Sequence, residues 1–323
     1  MSGQIEFVSC RDVWGVLRQI EIEDVNEFRT PGSVLDQRLV RVNGRNYVRK
    51  FVSRTAGRRD PQRYDLLENE IRAGCRLGQV FGERFPPDLA GLVAYNVDVE
   101  QPFALLREYV GAPAADQVRH FDDGQRKAFE QGLFRAMQNL GVAGIVHGAV
   151  TIDAVRWHDG RLQLVDFESA ERVGELRRRR SLGQPTGVDQ VDVRDDMLAA
   201  AILVRHVQPG VPSNGSSPDR SRDPDRLRAL LDPVFDNPVD RRPYPADLLA
   251  KLRVDNRPPP HDDPDGLLAA GHDLFEHVSQ GKLGSQEPEP PGKPSRRRGR
   301  WMRSFLALTV VLATTVIGLV VSK

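Results

Sequence analysis

Few residues of this 323-residue chain stand in patterns typical of a chemical site. The two cysteines, Cys10 and Cys75, cannot form a disulfide framework, and no CxxC pair is present to bind zinc. We expect both thiols to be reduced or buried, in a reducing compartment. Six of the seven histidines show neither a nucleophile pattern nor a metal-ligand pattern: His120, His158, His206, His261, His272 and His277. Four further polar residues are considered below together with the segments that carry them: Lys50, Glu70, His147 and Asp166.

These candidates lie in a chain that alternates short strand patterns with longer helix patterns. A hairpin is predicted over residues 39–52, because Asn43 and Gly44 supply a tight turn between two apolar runs, and this hairpin carries Lys50. Apolar residues at helical spacing then predict a helix that carries Glu70. The other elements predicted from spacing follow in order: that helix over 64–80, strands over 89–97 and 103–109, and a helix over 122–140.

The order of these landmarks resembles the protein-kinase superfamily from about residue 20 to residue 253. Seven segments carry the resemblance: Tyr47-Val48-Arg49-Lys50, Glu70, Leu106-Arg107-Glu108-Tyr109-Val110-Gly111, Ile145 to Val155, Asp166-Phe167-Glu168, a helix over 196–204, and Arg242-Pro243 with a last helix over 246–252. The resemblance implies an α+β, bilobal fold. A small β-rich N-lobe with the hinge would cover 1–110, and a helical C-lobe would cover 111–253.

The resemblance also implies a nucleotide site between the two lobes. Lys50, held by Glu70, would offset the charge of the nucleotide phosphates, and Asp166 would hold Mg²⁺. Backbone groups at Glu108 and Val110 would meet adenine. Taken alone, Lys50 could equally be an exposed strand lysine and Glu70 a solvated helix residue, or the pair could only pin the helix to the sheet. Structural roles are implied for His147, Phe167, Asp196 and Arg242.

The segment that resembles the catalytic loop has lost its chemical groups. Aligned on His147, it carries Ala149 where the family has its aspartate base, and a methyl group cannot accept a proton. Thr151 replaces the lysine that would help to neutralise the transferred phosphoryl group, and Ala154 replaces the asparagine that holds a metal ion. We therefore expect no catalytic residue.

The nucleotide pocket also departs from the family pattern. The phosphate loop is expected between about Glu23 and Gly32, a stretch with one glycine and several acidic residues that would repel phosphate. Arg107 stands where the family has an apolar residue at the back of the adenine pocket, so it could fill that pocket or pair with Glu70. Glu168 replaces the glycine of the metal motif, which reduces backbone freedom there.

These losses predict a catalytically inactive pseudokinase that acts as a signalling scaffold or an allosteric regulator. No cofactor is firmly implied, and ATP with Mg²⁺ would bind only weakly. The alternative is an active atypical protein kinase or a nucleotidyltransferase that uses Lys50 and Asp166 with ATP and Mg²⁺. A small-molecule kinase of the aminoglycoside type ranks last, because that group also needs an aspartate at the position of Ala149.

A basic run follows the Asp166 segment, where kinases carry a regulatory loop. It consists of residues 177–180 and is followed by Ser181 and Thr186, which are candidate sites of phosphorylation by another kinase. The alternative interpretation is a solvated basic loop without a partner.

The C-terminal part predicts a membrane anchor. Residues 304–322 carry no charge, and 19 residues of helix span about 28 Å, close to the hydrocarbon thickness of a bilayer. Five arginines in 296–303 precede this span, and only Lys323 follows it, which places the N-terminal part in the cytoplasm. Residues 254–303 read as a Pro-, Gly- and charge-rich linker with one amphipathic helix over 266–280.

Charge limits the partners. Seven basic and no acidic residues lie from Lys293 onward, so the rest of the chain has 39 basic against 45 acidic residues, a net charge of about −6. An acidic body argues against nucleic acid as a partner. We expect contact with membrane lipid through 296–303 and 304–322, and protein partners that the sequence does not identify.

Overall fold

A computed structural model describes residues 5–177, 190–211 and 218–284 of the chain. The strands in this part are β1 (Ile5–Asp12), β2 (Leu17–Glu27), β3 (Asp36–Val42), β4 (Arg45–Phe51), β5 (Leu92–Asn96), β6 (Phe103–Arg107), β7 (Ala112–Pro113), β8 (Ile145–Val146), β9 (Val155–His158), β10 (Arg161–Leu164) and β11 (Glu171–Arg172). The α-helices are α1 (Arg54–Arg59), α2 (Gln62–Phe81), α3 (Asp123–Ala143), α4 (Met197–His206), α5 (Asp225–Phe235), α6 (Pro245–Lys251) and α7 (Pro264–Gly284). The architecture is α+β, as predicted.

The first six strands form a closed antiparallel barrel in the order β1-β2-β3-β4-β6-β5. Its interior is apolar and contains Val8, Cys10, Ile22, Val40, Val42, Ala94, Phe103 and Leu105. The barrel closes where Arg11 and Asp12 of β1 pair with Tyr95 and Ala94 of β5. The sequence analysis did not predict β1, whose role depends on this pairing with a strand some eighty residues away.

The hairpin that carries Lys50 is confirmed as β3 and β4. Asn43 and Gly44 both have positive φ angles, 50° and 77°, as a two-residue hairpin turn requires. Lys50 lies opposite Gln37 of β3 on one side and Ala104 of β6 on the other, so β4 pairs along its length with both strands.

Helix α2 packs against the barrel and carries Glu70. The contact is apolar and includes Leu35, Val52, Leu66, Leu67, Ile71, Leu92 and Ala104. The approach to β5 is close at Gly74, where a Cβ atom would lie 2.5 Å from the Cβ of Leu92. A glycine at this position therefore sets the distance between the helix and the barrel.

The second half of the chain is mainly helical around α3. The Asp122 carboxylate accepts the Gln125 N–H at 2.7 Å, and the Gln125 side chain accepts the Asp122 N–H at 2.9 Å, a reciprocal cap that begins the helix. Gly144, with φ 66°, ends it. The predicted helices over 122–140, 196–204 and 246–252 are confirmed as α3, α4 and α6. Their shared core includes Phe129, Leu133, Phe134, Met197, Leu231 and Leu248.

The segment after α6 returns along α2. The Asp262 N–H donates to the Val80 carbonyl at 2.7 Å, and Asp265 accepts hydrogen bonds from Arg76 and Arg172, each at 2.7 Å. One compact unit of the chain ends at Gly266, so this segment belongs to that unit. A helix over the predicted range 266–280 is confirmed within α7.

Among the described residues, no helix combines the length and the apolar character needed to cross a bilayer. The predicted span over 304–322 and the basic stretch over 296–303 lie outside the described residues.

Candidate functional site

The candidate site centres on the side chain of Lys50, which is fully buried between the barrel and α2. Its ammonium lies 2.6 Å from Asp166 Oδ1, 2.8 Å from Glu70 Oε2 and 3.0 Å from Glu168 Oε1. The expected pairing of Lys50 with Glu70 is therefore present, and two further carboxylates join it. Three carboxylates exceed one ammonium, so the fully ionised cluster carries a net negative charge.

Burial and mutual interaction change the proton affinities in this cluster. Burial alone would lower the pKa of Lys50, but attraction to Glu70 and the other acidic groups raises it well above its ordinary value. Burial raises the pKa of Glu70 to about 7, because the attraction of Lys50 does not fully offset the desolvation of the carboxylate. Lys50 therefore stays charged, while Glu70 exchanges its proton near neutral pH.

Asp166 is also held by the loop between β2 and β3. The Thr30 hydroxyl donates to Asp166 Oδ1 at 3.0 Å. Gln37 fixes Thr30, since its Nε2 donates to the Thr30 hydroxyl at 2.8 Å and its Oε1 accepts the Thr30 N–H at 3.0 Å. Asp166 has φ 64° and ψ 66°, a left-handed conformation that costs free energy for a residue with a side chain.

Glu168 receives two more hydrogen bonds from the same loop. The Ser33 hydroxyl donates to Oε1, and the Val34 N–H donates to Oε2 at 3.0 Å. The Glu168 backbone is fixed as well, because its carbonyl accepts the Asn69 side-chain amide of α2 at 3.0 Å. Glu168 therefore contacts the barrel lysine, the loop and α2 at once.

The position of this loop corrects the sequence-based expectation. Strand β2 extends to Glu27, so the connecting loop covers 28–35 and not the stretch from Glu23 to Gly32. The acidic residues expected to repel phosphate, Glu23 and Asp24, instead form ion pairs with arginines of β3. The side chains that enter the site come from the loop itself.

Two aromatic rings and a guanidinium, on Phe28, Tyr109 and Arg156, pack together. Phe28 of the loop packs edge-on against Tyr109, with ring centroids 5.9 Å apart. The Arg156 guanidinium lies 5.7 Å from the Phe28 ring and 5.8 Å from the Tyr109 ring, and it donates to the Gly111 carbonyl at 3.1 Å. Burial raises the pKa of the Tyr109 hydroxyl, which keeps that group neutral. The sequence analysis missed Phe28, Tyr109 and Arg156.

One of the two backbone positions expected to meet adenine is already bonded. The Val110 N–H donates to Gln163 Oε1 at 2.9 Å, so a side chain of β10 already occupies this donor. Glu108 is exposed and accepts the Asn46 side-chain amide at 3.3 Å.

The expectation for Arg107 is wrong. Its side chain is exposed and lies over the Phe85 ring at 5.4 Å, away from Glu70. Arg107 ends β6, in which the four preceding residues are buried, and its side chain turns outward from the barrel wall.

The segment around His147 is tied to the start of α4. Asp196 accepts the His147 N–H at 2.6 Å and the Gly148 N–H at 3.0 Å. The His147 ring hydrogen-bonds the Val165 carbonyl at 2.9 Å and packs on Phe167, with centroids 4.9 Å apart. Burial lowers the pKa of His147 to about 4 and raises that of Asp196 to about 7. The hydrogen bonds of His147 and Asp196 fix the backbone of this segment.

The positions expected to carry catalytic groups offer none. Ala149 lies beside His147, and its N–H donates to the His147 ring at 3.3 Å. Ala154 is buried, and a Cβ atom on Gly32 of the loop would lie 3.6 Å from the Ala154 backbone nitrogen. The loop over 28–35 thus packs directly on the segment that would hold a substrate and a metal ion.

The remaining predicted residues lie away from this cluster. Arg242 is buried, and its Nε donates to the Asn237 carbonyl at 3.3 Å. Arg177, at the start of the basic run, forms a buried ion pair with Asp195 at 2.6 Å. Ser181 and Thr186 lie outside the described residues.

The residues present do not fit ATP with Mg²⁺ in this conformation. Lys50 is surrounded by carboxylates, and the Val110 N–H is already bonded to Gln163. Within the described ranges, no group of three or more His, Cys, Asp or Glu side chains is arranged to hold a metal ion. Asp166 Oδ2 is buried without a hydrogen-bond partner, but its other oxygen is bound to Lys50 and Thr30.

Comparison with known proteins adds no family. Neither the protein-family models nor the curated proteins match this sequence.

Proposed function

We propose that this chain is a membrane-tethered, catalytically inactive protein-kinase-like domain that acts by binding other proteins, as a signalling scaffold or an allosteric regulator. In this proposal the barrel with α2 corresponds to the small lobe, and the helices from α3 onward correspond to the large lobe. Two hydrogen bonds, donated by the backbone N–H groups of His147 and Gly148 to the Asp196 carboxylate, support this proposal. They tie the catalytic-loop-like segment to the buried helix that would anchor the large lobe.

One observation carries the inactive assignment: the Lys50 ammonium is buried and already bound to three carboxylates. Phosphoryl transfer depends on positioning and on neutralising the charge of the phosphates. A lysine whose charge is more than balanced by Glu70, Asp166 and Glu168 cannot offset that charge. The methyl groups of Ala149 and Ala154 supply neither a base nor a metal ligand.

The experiment is incubation of the purified full-length chain with Mg²⁺ and ATP labelled in the γ or the α position. We expect no incorporation of either label above that of the Lys50→Met variant. Incorporation of the γ label that is lost in Asp166→Ala would establish a kinase. Incorporation of the α label with the same dependence would establish a nucleotidyltransferase.

Binding is tested separately from transfer. We expect a thermal shift of no more than about 1 °C at 1 mM ATP with Mg²⁺, because a ligand near its Kd adds only about 0.4 kcal/mol. A shift of several degrees that requires Mg²⁺ and is absent in Lys50→Met would contradict the proposal.

A further inference from the structure

The loop over 28–35 reaches the cleft that contains the Lys50 cluster, and one acidic side chain accepts two hydrogen bonds from the second half of this loop. Glu168 accepts both the Ser33 hydroxyl and the Val34 N–H. We propose that Glu168 is a latch that keeps this loop closed over Lys50, and that breaking its two bonds to the loop opens the cleft while the rest of the fold stays folded. The inference deepens the proposed function, because it names what closes the inactive site.

Glu168 is held by contacts with the rest of the domain, whereas the loop segment bonded to it lies at the surface. The Glu168 side chain is 5% exposed, bonds to Lys50 at 3.0 Å, and has its backbone held by Asn69. On the loop, Pro31 and Gly32 are exposed and Ser33 is half-buried. Release of the two bonds therefore frees a surface segment and leaves Glu168 in place.

Charge balance separates the latch from an ordinary stabilising contact. Glu70 and Asp166 already supply two carboxylates to the single Lys50 ammonium. Glu168 adds a third negative charge, so removing its charge relieves repulsion in the cluster. The same change removes the anionic acceptor to which the loop is bonded. Glu168→Gln should therefore loosen the loop without lowering the stability of the whole domain.

The test is hydrogen exchange of the amides in the 28–35 loop, measured on the purified full-length chain without nucleotide. In Glu168→Gln we expect these amides to exchange about tenfold or more faster, since each lost bond to a charged group changes an equilibrium by roughly that factor. Ser33→Ala should act in the same direction with a smaller change. Glu175→Gln is the matched control, because Glu175 bonds to Arg72 on the surface and not to the loop.

A second readout is acylation of lysines by an amine-reactive ester, located by mass spectrometry. Lys50 is fully buried, whereas Lys127 and Lys251 are exposed and serve as internal references. We expect the labelling of Lys50 to rise several-fold in Glu168→Gln and to rise less in Ser33→Ala. Labelling of the two reference lysines should not change.

The latch proposal is overturned if neither variant changes the hydrogen exchange of the loop amides or the acylation of Lys50. It is equally overturned if Ser33→Ala, a change at a half-buried surface residue, speeds exchange throughout the barrel as much as in the loop. Failure of the latch would leave the inactive assignment intact, because these measurements use no nucleotide. Phosphate transfer by the wild-type chain would refute the function and leave the exchange result unaffected.

Discussion

The Lys50 ammonium lies 2.6 Å from Asp166 Oδ1, a direct ion pair between a barrel strand and the segment after β10. A contact this short leaves no room for a phosphate oxygen or a metal ion between the two groups. The residues that resemble a nucleotide site are bonded to each other. In this conformation they therefore stabilise the fold.

Lys50→Met should destabilise the protein by about 3–5 kcal/mol, because the change leaves three carboxylates beside an apolar side chain. The free energy of unfolding is measured by urea denaturation at pH 7. Lys127→Met on the exposed face of α3 is the control and should stay within about 0.5 kcal/mol. A loss below about 1 kcal/mol for Lys50→Met would mean that the cluster contributes little to the fold.

Glu70 should make stability depend on pH between its two protonation midpoints. Its pKa is 4.5 in its ordinary environment and about 7 in the fold, so the folded state holds a proton that the unfolded state has released. The stabilisation from this proton is fully present below pH 4.5 and is lost as the pH rises through 7.

The pKa difference corresponds to about 3 kcal/mol. Glu70→Gln should therefore flatten the decrease of the unfolding free energy between pH 4.5 and 7.5 by about that amount, measured by urea denaturation at several pH values. Asp196 titrates in the same direction and His147, whose pKa is lowered to about 4, in the opposite direction; both remain in both proteins, so the contribution of Glu70 is the difference between the two curves. Parallel curves for wild type and variant would show that Glu70 is ionised throughout.

Local patterns in the sequence predicted many of the elements but neither β1 nor the closure of the site. The hairpin turn at Asn43 and Gly44 and the helix that carries Glu70 follow from spacing within a few residues, and both are present. The bonds of Ser33 and Val34 to Glu168 join residues about 135 positions apart, and no short-range pattern encodes them. The low glycine content of this part of the sequence predicted only that phosphate would be excluded.

The directions of several side chains also could not be predicted from residue spacing in the sequence. Glu168 was expected only to restrict the backbone, yet its carboxylate reaches Lys50. Arg107 was expected in the pocket, yet it turns outward over Phe85. Tyr109, two residues later, is the buried residue instead. The direction of the side chains at and just after the end of β6 therefore decides which residue is buried, and spacing in the sequence does not encode it.

Restoring the missing catalytic groups should not restore catalysis. In the Ala149→Asp/Ala154→Asn double variant, Lys50 remains bound to its carboxylates and the loop remains closed. Transfer of γ-labelled phosphate should stay at the level of the same double variant carrying Lys50→Met. Transfer above that level would show that the losses at these two positions alone cause inactivity.

The membrane anchor is a prediction from the sequence and is tested by truncation and by protease access. Ending the chain before Arg296 removes the basic stretch and the predicted span over 304–322, so the shortened protein should be recovered in the soluble fraction. The full chain should sediment with membranes and resist carbonate extraction.

Five arginines precede the span and one lysine follows it, which predicts that residues 1–303 face the cytoplasm. A protease added outside intact cells or spheroplasts should therefore leave the body undigested, and lysis should make it susceptible. A variant with the arginines of 296–303 changed to glutamine is the matched control, because it keeps the apolar span and removes the orientation signal. It should remain membrane-bound with a mixed orientation. Digestion of the wild-type body from outside, or membrane retention of the truncated chain, would contradict the predicted topology.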